Sequence, residues 1–167
     1  VRFMTLYAFS AQNWERPADE VRALMALLLD FVHTDCEELI ANGVRLLVNG
    51  DVAKLPAAAR HGLDRLVRVS AGNSALTLCL ALSYGGREEF AAAASAACAA
   101  AVAGALHASR AHPLTVDAFR AFMPHPHVPD PDLLIRTSGE LRLSNFLLWQ
   151  LAYTELYVTP VLWPDFG

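Results

Sequence analysis

Leu76-Thr77-Leu78-Cys79-Leu80-Ala81-Leu82-Ser83-Tyr84 is a run with almost no polar side chain, closed by Gly85-Gly86-Arg87 and followed from Glu88 by an alanine-rich stretch. A strand with one face in water alternates apolar and polar residues, so a run that is apolar throughout has both faces covered. Such strands belong to parallel sheets, and the helix-forming run behind this one is what a parallel crossover needs. Working outward, the same succession recurs. Residues 5–9 read as a buried strand, and Val21, Leu24, Met25, Leu28, Leu29 and Val32 follow at helical offsets as one apolar stripe. Pro17 suits the first turn of that helix, and Asp19 and Glu20 place negative charge at its positive end. Residues 44–48 are β-prone and run into Asn49-Gly50-Asp51, and a helical segment over about 56–69 is broken by Ala71-Gly72-Asn73. Residues 133–135 predict another buried strand, 146–153 a helix and 156–161 the last strand. Strand and helix in alternation define an α/β fold with an open, mainly parallel sheet covered by helices. Ligands of such sheets bind beyond the carboxyl ends of the strands, where Ser10, Asn13, Asn49, Asp51, Arg87, Arg136, Ser138 and Glu140 collect.

The composition fits one domain over residues 1–167. With 54% hydrophobic and 18% charged residues in 167, a packed core is accessible and disorder is excluded. Thirteen Lys and Arg against seventeen Asp and Glu leave a net charge of −4, which argues against broad electrostatic binding to nucleic acid or anionic membrane. An anionic ligand must therefore be met locally. Cys36, Cys79 and Cys98 are odd in number, lack CxxC spacing and lie in apolar stretches, so they read as reduced core residues of a cytoplasmic-type compartment. Residues 90–106 are too short and too alanine-rich for the roughly 18 to 20 apolar residues of a membrane span, and read as a soluble helix. No signal peptide is expected, because Val1 and Arg2 lead directly into the first strand, although a natural product would begin with Met. The proline-broken stretch 124–132 reads as one ordered loop, whose His125 and His127 have no third ligand nearby to make a metal site.

Three constellations could carry chemistry. Ser10-Ala11-Gln12-Asn13-Trp14-Glu15-Arg16-Pro17 gathers hydroxyl, amide, indole and guanidinium between a strand and a helix; a capped helix with an aromatic anchor is the plainer reading, and residue chemistry leaves the two open. Arg136-Thr137-Ser138-Gly139-Glu140-Leu141-Arg142-Leu143-Ser144-Asn145 places two guanidinium forks and several hydroxyls before the expected helix, a set suited to a diphosphate, with surface pairing to Glu140 as the alternative. Glu155 lies among large apolar residues, where a buried carboxylate needs an Arg, a helix N-terminus or a cation such as Mg²⁺. A structural ion pair serves it equally well.

Residues 6–17, the Ser83-Tyr84-Gly85-Gly86-Arg87 motif, and the run from Asp132 through Arg136, Arg142, Ser144 and Glu155 to Leu162-Trp163-Pro164-Asp165-Phe166 closely resemble the cis-prenyltransferases, the undecaprenyl diphosphate synthase family. The likeness extends over essentially the whole chain. It implies Mg²⁺-dependent condensation of isopentenyl diphosphate onto an allylic diphosphate, usually farnesyl diphosphate, to a cis-polyprenyl product. By the family's pattern Arg136, Arg142 and Ser144 hold isopentenyl diphosphate and Glu155 binds Mg²⁺. Ser10 and Asn13 assist proton removal and substrate placement, Trp14 sits by the helix flanking the lipid tunnel, and Arg16 approaches the diphosphates. The resemblance further implies a cytoplasmic homodimer, no nucleic-acid partner, at most peripheral membrane contact through the lipid product, and a long product from the small side chain of Ala8. Gln12 stands where the family commonly has Glu. The family's Asp-Gly-Asn-Gly-Arg-type loop, which holds the allylic diphosphate, and its basic segment after the Trp-Pro-Asp-Phe motif have no counterpart in residues 1–167. These residues are therefore expected to be a fragment that lacks turnover alone. The competing readings are a non-catalytic partner subunit of a heteromeric enzyme and an isoprenoid diphosphate-binding module.

Overall fold

The apolar run becomes β3 (Leu76–Tyr84), the middle strand of a parallel sheet ordered β1-β3-β2, between β1 (Phe3–Ser10) and β2 (Val44–Asn49). Its last seven residues are buried, as a strand covered on both faces requires. The computed structural model describes residues 1–109 and 111–166, residue 35 by its backbone alone. Two units can be distinguished, Val1–Gly85 and Gly86–Gly167.

In the first unit, α1 (Ala18–His33), α2 (Asp35–Ala41) and α3 (Ala57–Val69) join the sheet. The stripe read at helical spacing lies inward: Met25 and Val32 are buried with Leu63 and Leu66 of α3 and Leu78 and Leu80 of β3. The pairing of β1 with β3 slips on either side of Phe9, leaving Ser10 opposite Tyr84 at the end of the sheet. Such irregularities re-aim side chains at strand ends. At the opposite end, Ser70, with no exposed surface, caps α3 and accepts the amide of Leu46 through Oγ at 2.9 Å. Ser70→Ala leaves that buried donor unpaired, so a loss of about 1–3 kcal/mol is expected in urea denaturation. An unchanged midpoint would show that the amide finds another acceptor.

In the second unit, α4 (Gly86–Val102) and α5 (Val116–Arg120) accompany a parallel ladder of β4 (Leu133–Arg136) and β5 (Glu155–Val158). Phe90 of α4 and Phe119 of α5 each pack on Trp149, with ring centroids 5.3 and 5.2 Å away. The proline-broken loop is ordered by one side chain. The Arg120 guanidinium donates to the carbonyls of Pro126 (3.4 Å) and Val128 (2.8 Å) and pairs with Asp130 at 2.9 Å.

Several expectations are corrected. Residues 146–153 form successive turns, because Ser144, Asn145 and Leu147 have φ of 51°, 63° and 42°, outside any right-handed helix. The last strand begins at Glu155 and ends at Val158, earlier than 156–161. β1 and β4 are apolar yet largely uncovered: within β1 only Phe9 is buried, and Leu133 and Ile135 are exposed. Cys36 and Cys79 are buried thiols, while Cys98 is exposed on α4. Among the described residues no helix is long and apolar enough to cross a membrane.

Candidate functional site

The candidate residues fall into two sets, one in each unit. In the first, the chain leaves β1 at Ser10 and turns through a single 3-10 turn, Ala11–Glu15. Ser10 and Asn13 lock each other: Asn13 N donates to Ser10 Oγ at 3.2 Å, and Ser10 N donates to Asn13 Oδ1 at 2.8 Å. This reciprocal box satisfies two backbone donors and fixes both side chains at the strand end. Trp14 packs edge-on against Phe9, centroids 4.8 Å apart, and donates Nε1–H to Ser83 Oγ at 2.8 Å. Ser83 is buried and holds φ of 51°; its carbonyl accepts the amide of Asp51 at 3.2 Å. The ends of β1, β2 and β3 are thus tied together around Trp14. Arg16 does not join them. Its guanidinium pairs with Glu20, one helical turn on, at 3.3 Å, with both side chains about half exposed. Exposed pairs of this kind are weak and readily exchanged for another anion.

In the second set, Arg136 closes β4, and its backbone oxygen accepts Thr159 N at 2.9 Å, continuing the ladder. Its Nε is buried and has no hydrogen-bond partner among the described residues. Leaving a charged donor unpaired is costly, so the atom is poised for an acceptor brought from outside the chain. The backbone beyond it is unusual. Ser138 and Gly139 have φ of 65° and 66° and bond the carbonyls of Val161 and Thr159, each at 2.8 Å. Non-glycine residues in this region cost about 1–3 kcal/mol each and cluster at functional sites. Arg142 extends into solvent and pairs with Glu140, and Ser144 is exposed. The positive end of a helix expected behind Ser144 is absent, since turns occupy that position.

Glu155 is a further correction. It is exposed, as are Leu156 and Tyr157, so the apolar neighbourhood that would have made its charge costly does not cover it. It pairs in register with Leu133 while Arg136 pairs with Val158, three residues further on, a separation of about 10 Å along the ladder. Among the described residues no three His, Cys, Asp or Glu side chains converge on a common point. A single exposed carboxylate suits Mg²⁺ only when diphosphate oxygens and water complete its six ligands. The sequence passed over Ser83 and Asn145 as site residues; both lie in quoted motifs, but their left-handed backbones are set by contacts distant in the chain.

Fold and site together define an α/β protein with parallel strands, a locked polar turn after β1 and an anion-ready arginine after β4. The undecaprenyl diphosphate synthase (prenyltransferase) family model matches residues 1–167, and the chain belongs to that family. It is 46% identical over 169 residues to an isoprenyl transferase of Heliobacterium mobile and 44% identical over 166 residues to one of Geobacter sulfurreducens. Those alignments take in 100% and 99% of this chain but 63% and 66% of the relatives, so the chain spans about two thirds of their length. Among solved structures, a lavandulyl diphosphate synthase from Lavandula x intermedia, in complex with dimethylallyl diphosphate, superposes with a TM-score of 0.92 at 36% identity. It is matched over 71% of its chain, and all of the present chain is covered. A probable undecaprenyl diphosphate synthase from Campylobacter jejuni gives 0.86 at 32% identity, over 100% of this chain and 74% of its own.

Proposed function

We propose that residues 1–167 belong to a cis-prenyltransferase domain that condenses isopentenyl diphosphate onto an allylic diphosphate, farnesyl diphosphate being the primer, to give a cis-polyprenyl diphosphate such as undecaprenyl diphosphate. The observation that carries the reading is the buried, unpartnered Nε of Arg136 at the end of β4. Family membership and the diphosphate bound in the lavandulyl enzyme's complex support it.

In this proposal Arg136 and Arg142 grip the isopentenyl diphosphate and Ser144 donates from its hydroxyl, orienting the alkene. Glu140 leaves Arg142 when the diphosphate arrives. The allylic C–O bond breaks with its electron pair on the departing diphosphate, the alkene carbon bonds to the allylic carbon, and a proton is lost from the isopentenyl unit. Ser10 and Asn13, held by their mutual bonds, order the proton's path, and Trp14 walls the reacting groups from water. Arg16 exchanges Glu20 for a diphosphate oxygen. Glu155 would hold Mg²⁺ together with diphosphate oxygens, and the cation would supply charge neutralisation. A homodimer, a cytoplasmic location and a long product favoured by the small Ala8 complete the proposal.

Radiolabelled isopentenyl diphosphate with unlabelled farnesyl diphosphate tests it. The full-length protein is expected to form an extractable polyprenyl product, and residues 1–167 alone, without an Asp-Gly-Asn-Gly-Arg-type loop, none. Calorimetric binding of both diphosphates without product would favour an isoprenoid-binding module or a partner subunit. The absence of both binding and product would sink the reading.

A further inference from the structure

Asn145 makes three directed hydrogen bonds to the opening of α4. Its backbone oxygen accepts Gly86 N at 2.7 Å, its Oδ1 accepts Arg87 N at 2.9 Å, and its Nδ2 donates to Glu88 Oε2 at 2.9 Å. The first two acceptors satisfy amides at the opening of α4 that no helical carbonyl can reach. One residue, distant in sequence, therefore caps a seventeen-residue helix. Asn suits the position twice over: it tolerates the left-handed φ of 63°, and it carries both an acceptor and a donor. Gly86 shows independently how tightly the loop sits. A Cβ there would lie 2.8 Å from Leu148 Cγ, 3.1 Å from Leu148 N and 3.2 Å from Asn145 O.

We infer that Asn145 is a positioning residue for diphosphate binding: it clamps the Arg142–Ser144 loop onto the first turn of α4, so that Ser144 and Arg87 are presented in fixed relation. The inference rests on the function proposed above. Ser144 is exposed with a left-handed backbone, and its covalent neighbour is bonded at three points to the first turn of α4. Glu88 is the counterpart of the clamp, because its carboxylate accepts a hydrogen bond from the Asn145 side-chain amide.

The test uses the full-length protein. Asn145→Asp keeps the shape and the bond from Arg87 N but sets a carboxylate against Glu88. The KM for isopentenyl diphosphate is expected to rise about tenfold, with kcat and the KM of the allylic substrate within about threefold of their starting values. Adding Glu88→Gln supplies an amide donor opposite the new carboxylate and should restore most of the lost affinity. Asn145→Gly, which accepts the left-handed backbone freely, should show the same KM rise should the aspartate variant fold poorly. A KM unchanged in both single variants, a loss shared equally between the two substrates, or no rescue by Glu88→Gln would each overturn the inference. Wild-type protein that neither binds nor consumes isopentenyl diphosphate would instead overturn the function on which it rests, and the inference with it.

Discussion

Gly50→Ala is expected to cost the first unit a substantial part of its stability. Gly50 follows β2 with φ of +119°, a region that side chains other than glycine essentially never enter. A Cβ at this position would lie 2.1 Å from the carbonyl oxygen of Leu82 and 3.1 Å from Cα of Tyr84. Both obstacles are backbone of the central strand, which cannot swing aside as a flexible side chain would. Overpacking costs about 1–3 kcal/mol and the forbidden backbone a similar amount, so the loss should be about 2–6 kcal/mol, against a typical total of about 5–15. Relief by displacing β3 would move Ser83, and with it the acceptor for Trp14. Denaturation of the variant should therefore show a sharply lowered midpoint, and in a protein whose Trp149 and Trp163 are replaced by Phe the remaining Trp14 fluorescence should shift to the red even where the protein remains folded. A midpoint within about 0.5 kcal/mol of the parent would mean that the turn after β2 rearranges freely.

How much of this was legible in the sequence depends on whether its cause was local. The apolar run 76–84 announced β3 because burial on both faces leaves its mark at every position, and the α1 stripe announced an inward helix face because its spacing is that of a helix. The 146–153 segment misled for the converse reason. Phe146, Leu147 and Leu151 are apolar and buried, as a helix would have them, but the turns are set by Asn145, whose partners lie 57 and 58 residues away. Strand burial was overread at β1 and β4, since an apolar strand is not thereby a covered one. The same error underlies Glu155, whose neighbours were expected to bury it and are themselves exposed. In the site, the lock between Ser10 and Asn13 is three residues long and readable from the chain, whereas the bond of Trp14 to Ser83 spans 69 residues and required the fold.

Arg136→Ala separates binding from stability more cleanly than any other substitution in the second unit. The side chain brings a buried Nε that no described residue satisfies, so it contributes little to holding the fold and costs something in desolvation. What secures β4 to the segment after β5 at this point is the backbone bond from Thr159 N to Arg136 O, which alanine retains. The denaturation midpoint is accordingly expected to stay level or to rise. Binding should respond in the opposite sense. Loss of a bidentate, charge-assisted diphosphate contact removes about 1.5–3 kcal/mol, a rise in the KM for isopentenyl diphosphate of roughly ten- to a hundredfold. Arg136→Lys should recover part of this, because an ammonium restores the charge but not the planar fork that engages two oxygens. The KM of the allylic substrate should move little in either variant, since this arginine is assigned to one diphosphate alone. Stability that rises while one KM worsens is the pattern of a residue kept for its ligand at the expense of the fold. If Arg136→Ala lowers the midpoint and leaves the KM for isopentenyl diphosphate unaltered, the guanidinium is structural and the diphosphate must be held elsewhere.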